Sequence, residues 1–347
     1  MIRERTETPA RPLASTQIVD TQNSDLTQAT PAAAPHAAGK WSVADIPDQQ
    51  GRVAVITGSN SGIGYATAQA LAAQNAHVIL AVRNLEKGHR AQASILDHAP
   101  HAHVEVRQLD LADLGSVATF ARQLVADFPR LDLLINNAGV MSTPYTRTVD
   151  GYELQFATNH LGHFALTAHL LPALLATFQA RIVTVSSMVH RGASLDFANL
   201  NGRMGYSRWR AYQYSKLANL HFAYALQQRL ADAGHTVRSI ACHPGYTATN
   251  LQVQGLMMDG GSVHKWIVEA MNRLFAQDAT MGALPTLYAA VVPGLRGGEY
   301  VGPDGLLGMW GHPVVTRSSR QSYDHADAQR LWALSESLTG VEFPLAT

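Results

Sequence analysis

The stretch "VAVITGSNSGIGYATAQALAAQ" (residues 53–74) decides the fold. An apolar, β-branched run ends at Thr57 and passes through three glycines into a segment whose apolar residues recur at three and four, so strand gives way to helix within a few residues. Gly58, Gly62 and Gly64 permit a tight turn and a close approach of backbone to a ligand. The helix starting near Gly62 offers unpaired N–H groups and the positive end of its dipole there. Ser59, Asn60, Ser61 and Ile63 complete a turn suited to a pyrophosphate. In a first βαβ unit, that position favours a dinucleotide. The spacing is G-x-x-x-G-x-G rather than the commoner G-x-G-x-x-G.

The alternation continues outward from this turn. "HVILAV" (77–82), "VEVRQL" (104–109), "LDLLIN" (131–136), "RIVTVS" (181–186) and "VRSIAC" (237–242) read as further strands, and amphipathic stretches separate them. Their nearly continuous apolar character suits a parallel sheet covered by helices on both faces. The expectation is one α/β domain over residues 46–347. Residues 1–45, rich in Ala, Pro, Thr and Gln, lack the large apolar side chains needed to offset ordering entropy and read as a disordered tail.

Composition narrows the partners. Of 347 residues, 46% are hydrophobic, enough for a full core, and 26 basic residues cancel 26 acidic ones. Nothing in that balance draws the chain to nucleic acid or an anionic surface. No apolar run reaches the roughly 18 residues of a membrane span. The single cysteine, Cys242, excludes an internal disulfide and is compatible with a cytoplasmic location. Histidines in "HAPHAH" (98–103) lack acidic or Cys partners nearby and read as solvated, so no metal site is expected.

A second stretch, "AYQYSKLAN" (211–219), carries candidate chemistry. On a helix Tyr212 and Lys216 share a face, whereas Tyr214 points away from both. A lysine ammonium beside a phenol favours the phenolate and lowers a pKa that is otherwise near 10.

Taken in order, the glycine turn, "NNAG" (136–139) and Y-x-x-x-K (212–216) resemble the short-chain dehydrogenase/reductase family over about residues 50–345. "TNHLGHF" (158–164), "VTVSSMVHRG" (183–192) and "HPGYTATNL" (243–251) look most like the branch containing retinol dehydrogenases, other carbonyl reductases and the oxidoreductase part of a WW-domain protein. The resemblance implies a Rossmann-type doubly wound parallel sheet of about seven strands, order 3-2-1-4-5-6-7. It also implies NADP(H)-dependent interconversion of an alcohol and an aldehyde or ketone.

Residue by residue, it implies that Asn137, Ala138 and Gly139 line the adenine ribose, that Asp110 and Leu111 contact adenine, and that Asp113 caps the next helix. Arg83 stands where NAD-selective members carry an acidic residue, and a guanidinium matches a ribose 2′-phosphate, so NADP(H) is preferred over NAD(H). Ser187 matches the catalytic serine, with Ser186 facing elsewhere because successive strand side chains alternate. Asn159 matches the asparagine that disturbs its helix and holds a water connected to the lysine. Lys216 holds the nicotinamide ribose and tunes Tyr212. Pro244, Thr247 through its backbone and Thr249 through its hydroxyl would bind the carboxamide.

The gap between Ser187 and Tyr212 is longer than usual for the family, and its extra segment 190–210 resembles the insertion of the retinol dehydrogenase branch, which could roof the pocket or form a surface loop. A lid is expected around 246–278, where methionines, Trp266 and Phe275 suggest an apolar substrate. Homodimerisation is a family possibility. Two alternatives stay open: a regulatory module that holds NADP(H) and engages partners, and a photoenzyme like the more distant protochlorophyllide reductases.

Overall fold

A computed structural model describes residues 40–247 and 277–345. Thr249, Trp266, Phe275, most of the expected lid and most of the expected tail lie outside the described residues. The sheet has strands β1 (Val53–Thr57), β2 (His77–Val82), β3 (His103–Gln108), β4 (Leu133–Asn136), β5 (Arg181–Val185), β6 (Arg238–Cys242), β7 (Tyr300–Pro303) and β8 (Pro313–Thr316). Their order is β3-β2-β1-β4-β5-β6-β7-β8. All neighbours pair in parallel except β7 and β8, which are antiparallel, with Tyr300 opposite Thr316. The order expected for the first seven strands holds, and β8 is an addition at the edge.

Strand alternation divides the core into two layers. Ala54, Ile56, Val78, Leu80, Leu133 and Ile135 face one side, where α1 (Gly62–Ala73), α2 (Leu85–His98) and a later helix, Ala279–Val291, cover them. Val55, Ile79, Leu134 and Ile182 face the other. There they meet α3 (Leu114–Asp127), the helical run that begins with α4 (Leu154–Phe156) and ends as α5 (Gly162–Leu175), and α6 (Arg208–Asp232). With α6 named, the Ala279–Val291 helix is α7, and His325–Thr339 forms α8. Asp113 caps α3 by accepting from Gly115 and Ser116 N–H, as the sequence suggests.

Between α4 and α5, Ala157–Leu161 is π-helical, and the Gly162 N–H reaches back five residues to the Ala157 carbonyl. Such π turns cluster at functional sites.

Trp41, on the tail side of the expected boundary, is buried in the first core layer and meets the Tyr288 ring edge-on at 5.4 Å. His312 Nδ1 donates to its carbonyl at 2.9 Å. Composition averaged over forty residues hides a single anchoring aromatic. Among the described residues no helix is long and apolar enough to cross a membrane.

Candidate active site

β1 has β2 on one side and β4 on the other, so chain direction around the sheet reverses between β1 and β4. Ligands of open α/β sheets bind at the carboxyl ends of the strands at such a point. Thr57, Asn137, Ser187 and His243 all lie at or just beyond those ends.

The glycine turn is closed against "NNAG". Gly58 has φ +66, and a Cβ there would lie 2.9 Å from Ala138 Cα. A Cβ on Gly64 would collide with Asn137 Nδ2. Thr57 joins the two segments: its Oγ1 accepts from the N–H groups of Asn137 and Ala138, both at 2.9 Å, and its carbonyl accepts from Asn137 Nδ2 at 2.8 Å. Ser59 is turned inward, its hydroxyl donating to the Ile56 carbonyl. Ser61, at the N-cap of α1, makes no side-chain cap bond, so the first-turn N–H groups lack that partner. The glycine-only approach and the uncapped helix start fit a pyrophosphate.

Arg83 follows β2 and is exposed. Asp110 is half-buried, its carboxylate accepting from Ala112 N–H at 2.9 Å. Leu111 is buried, and its carbonyl is the atom that a Cβ on Gly162 would strike. Along the loop after β6, Pro244 O accepts from Thr247 Oγ1 at 2.9 Å and from Gln277 Nε2 at 2.6 Å. The Thr247 hydroxyl is thereby occupied, in keeping with a backbone role.

At the end of β5 the two serines diverge. Ser186 is buried and donates to the Lys216 carbonyl at 2.7 Å. Ser187 is partly exposed, its hydroxyl accepts from Val189 N–H at 3.5 Å, and its influence on the Tyr212 phenol is to lower the phenol's pKa. On α6, Tyr212, Lys216 and Asn219 occupy one buried face at helical spacing. Lys216 Nζ donates to the Val185 carbonyl at 3.1 Å and lies 5.7 Å from the centre of the Tyr212 ring. A Cβ on Gly139 would sit 3.2 Å from Asn159 Oδ1 and 3.5 Å from Lys216 Nζ, so "NNAG", the asparagine and the lysine converge. Tyr214 packs instead in a separate apolar cluster with Tyr152 and Phe197.

Electrostatics departs from the sequence expectation. Burial pushes the Tyr212 phenol up to about 12, with the Ser187 hydroxyl opposing it. Burial brings Lys216 down to about 8. In the protein alone, desolvation outweighs any help from the ammonium.

Asn159 is fully buried within the π turn. Its Oδ1 accepts from Val140 N–H at 2.8 Å, and its Nδ2 donates to Val140 O and Ser215 Oγ, each at 2.9 Å. The side chain is spent on bracing the loop after β4.

Residues 190–210 are held to the body of the protein by hydrogen bonds. Tyr206 OH donates to Glu153 Oε1 at 2.9 Å and accepts from Gln155 Nε2 at 2.8 Å, while Asn201 Oδ1 accepts from Glu153 N–H. Trp209, 47% exposed, lies 6.1 Å from the Tyr212 ring and puts an apolar face beside it.

Sequence reasoning missed the buried imidazoles near the site. His190 Nδ1 donates to the Ser187 carbonyl at 2.6 Å, and its Nε2 accepts from Ser319 N–H at 3.0 Å. His163 lies under Asn159. The available signal was their position inside otherwise apolar or Gly-rich runs.

Residues 52–256 match the family model described as short chain dehydrogenase. The chain is 38% identical to retinol dehydrogenase 11 of Mus musculus over 292 residues, covering 84% of this chain and 87% of that protein. It is 38% identical to retinol dehydrogenase 13 of Homo sapiens over 297 residues, 85% of this chain and 86% of that one. Among solved structures, an uncharacterized protein from Mycobacterium Paratuberculosis superposes with TM-score 0.74 at 46% identity, over 88% of this chain and all of that one. A short chain dehydrogenase from Shigella flexneri complexed with NADP gives TM-score 0.55 at 25% identity, over 73% and 97%.

Proposed function

The chain belongs to the short-chain dehydrogenase family, and from that premise we propose that it is an NADP(H)-dependent oxidoreductase interconverting apolar alcohols with their aldehydes or ketones, with Tyr212, Ser187 and Lys216 at the reaction centre. The observation that carries this reading is the placement of Lys216 Nζ 5.7 Å from the centre of the Tyr212 ring on one buried face of α6, with Ser187 just beyond the carboxyl end of β5. A module that only held the nucleotide would not require that arrangement.

The first turn of α1 and the glycine turn would hold the pyrophosphate, "NNAG" the adenine ribose, Arg83 the 2′-phosphate, and Pro244 with the Thr247 backbone the carboxamide. When bound, NADP(H) supplies or accepts the hydride. In the reducing direction Tyr212 gives its phenolic proton to the substrate oxygen, and Ser187 Oγ hydrogen-bonds that oxygen as charge develops on it. A phenol at about 12 is a reluctant acid at neutral pH. Positive charge introduced near Tyr212 would lower that value. Lys216 shares the pocket, and its own depressed pKa suits it to pass a proton onward. Exposed Trp209 and the fixed segment around Tyr206 give the substrate an apolar wall, which supports an apolar compound.

A panel of apolar aldehydes, ketones and alcohols, followed by NADPH absorbance beside NADH, tests the reading. Turnover that falls at least about a hundredfold in Tyr212→Phe, with NADPH affinity retained, is expected. Wild-type turnover in that variant would overturn the mechanism, and a blank panel would overturn the activity.

A further inference from the structure

Resting on the catalytic reading above, we propose that His163 is a positioning residue that couples the nucleotide cradle to the reaction centre through its two ring nitrogens. His163 is buried in the first turn of α5. Its Nδ1 is 3.0 Å from the Asn159 carbonyl, and its Nε2 is 2.9 Å from Thr57 Oγ1.

Valence fixes every proton in this cluster. A carbonyl can only accept, so Nδ1 carries the hydrogen. Thr57 Oγ1 already accepts two backbone N–H bonds, from Asn137 and Ala138, which uses both lone pairs. Its single proton therefore goes to Nε2, the competing Ile135 carbonyl being 3.4 Å away. One neutral tautomer satisfies all partners, and a doubly protonated ring would leave three donors facing one hydroxyl.

The two halves serve different parts of the site. Through Thr57, the ring fixes the junction of the glycine turn and "NNAG". Through Asn159, it fills the carbonyl in the π turn whose side chain braces Val140 and Ser215, and the Ser215 hydroxyl donates in turn to the Tyr212 carbonyl at 2.8 Å. Chains of bonds that polarise one another give more than isolated pairs.

Separable substitutions test the coupling. Asn retains a donor at the Nδ1 position, Gln places an acceptor near the Nε2 position, and Leu supplies neither. NADPH affinity is read by fluorescence titration, and kcat with a substrate from the panel. His163→Leu is expected to weaken NADPH binding and to lower kcat, each by about tenfold, the cost of one directed hydrogen bond. His163→Asn should recover kcat without recovering affinity, and His163→Gln should recover affinity without kcat. Should His163→Leu not fold, the Asn and Gln variants decide alone: kcat kept with affinity lost in the first and the reverse in the second uphold the proposal, and equal losses in both overturn it. Both constants moving together in all variants, or neither moving in Leu, would overturn the proposal. Should wild type prove inactive, the catalytic reading fails by itself. The affinity arm still decides then: restoration by Gln but not Asn upholds the link to Thr57, and equal loss in both overturns it.

Discussion

Five histidines, His160, His163, His190, His221 and His243, are buried with at most 1% exposure, and burial depresses them from 6.5 to about 3 for His160 and His243 and about 4 for the others. The folded protein holds them neutral, while the unfolded chain protonates them near 6.5. Their contribution to stability is therefore complete above 6.5 and is lost as pH falls from there toward the folded values. Between about pH 7 and pH 5.5, linkage assigns each a loss of about 1 kcal/mol, or about 5 kcal/mol for the five. Typical total stability is about 5–15 kcal/mol, so this is a large fraction. Glu153 and Asp327, raised by burial, act in the opposite sense, as two groups against five. Glu105 is lowered from 4.5 and so acts below this window.

Urea unfolding across that range, followed by circular dichroism, should show stability falling steeply, with about four protons taken up on unfolding at the acid end. His221 supplies an internal control, because among the described residues neither of its ring nitrogens has a hydrogen-bond partner. His221→Leu should remove about one proton from that uptake while leaving neutral-pH stability intact or higher. Unfolding free energy constant to within about 1 kcal/mol over the range would refute the reasoning.

Arg83→Glu should reverse the cofactor preference, with kcat/KM for NADPH falling by about a hundredfold relative to NADH, since a carboxylate repels a 2′-phosphate and accepts from a 2′-hydroxyl. Gly64→Ala should abolish NADPH binding in fluorescence titration, because the added methyl meets Asn137 Nδ2 and the Gly58 carbonyl. The neighbouring serines should separate cleanly. Ser187→Ala lowers kcat by about a hundredfold at wild-type melting temperature, whereas Ser186→Ala destabilises by about 1 kcal/mol through the lost bond to the Lys216 carbonyl.

What the sequence discloses follows from the kind of physics involved. The glycine turn, the six strands, the opposite facing of Ser186 and Ser187 and the pairing of Lys216 with Tyr212 rather than Tyr214 all depend on local periodicity or on sterics within one turn, and these are written in adjacent residues, whereas the choice of Ser187 as the catalytic serine rests on family resemblance. The tyrosine's electrostatics is not so written. Spacing alone points to Lys216 lowering the phenol, whereas burial, a property of the whole packed core, pushes it up to about 12. His163 and Thr57 are 106 positions apart, and their bond exists only because β1 and α5 meet. Trp41 is similar: its neighbours in sequence describe a tail, and its neighbours in space describe a core. β8 pairs only with β7, at the sheet edge, and its four residues carry too little pattern to announce a strand.

A helix containing one π turn holds one residue more than an α-helix of equal length. The segment Ala157–Leu161 can thus be regarded as a single-codon insertion retained in the gene. Deleting one residue there would return Leu154–Leu175 to an unbroken α-helix with its two ends left in place, so the displacement would fall on the side chains of the π turn itself. Asn159 and His163 span its junction with α5. A length change of one residue would leave the strands untouched and part the asparagine from either Val140 or its imidazole. Alignments of this chain should accordingly treat a gap in that segment as a change of chemistry rather than of loop length.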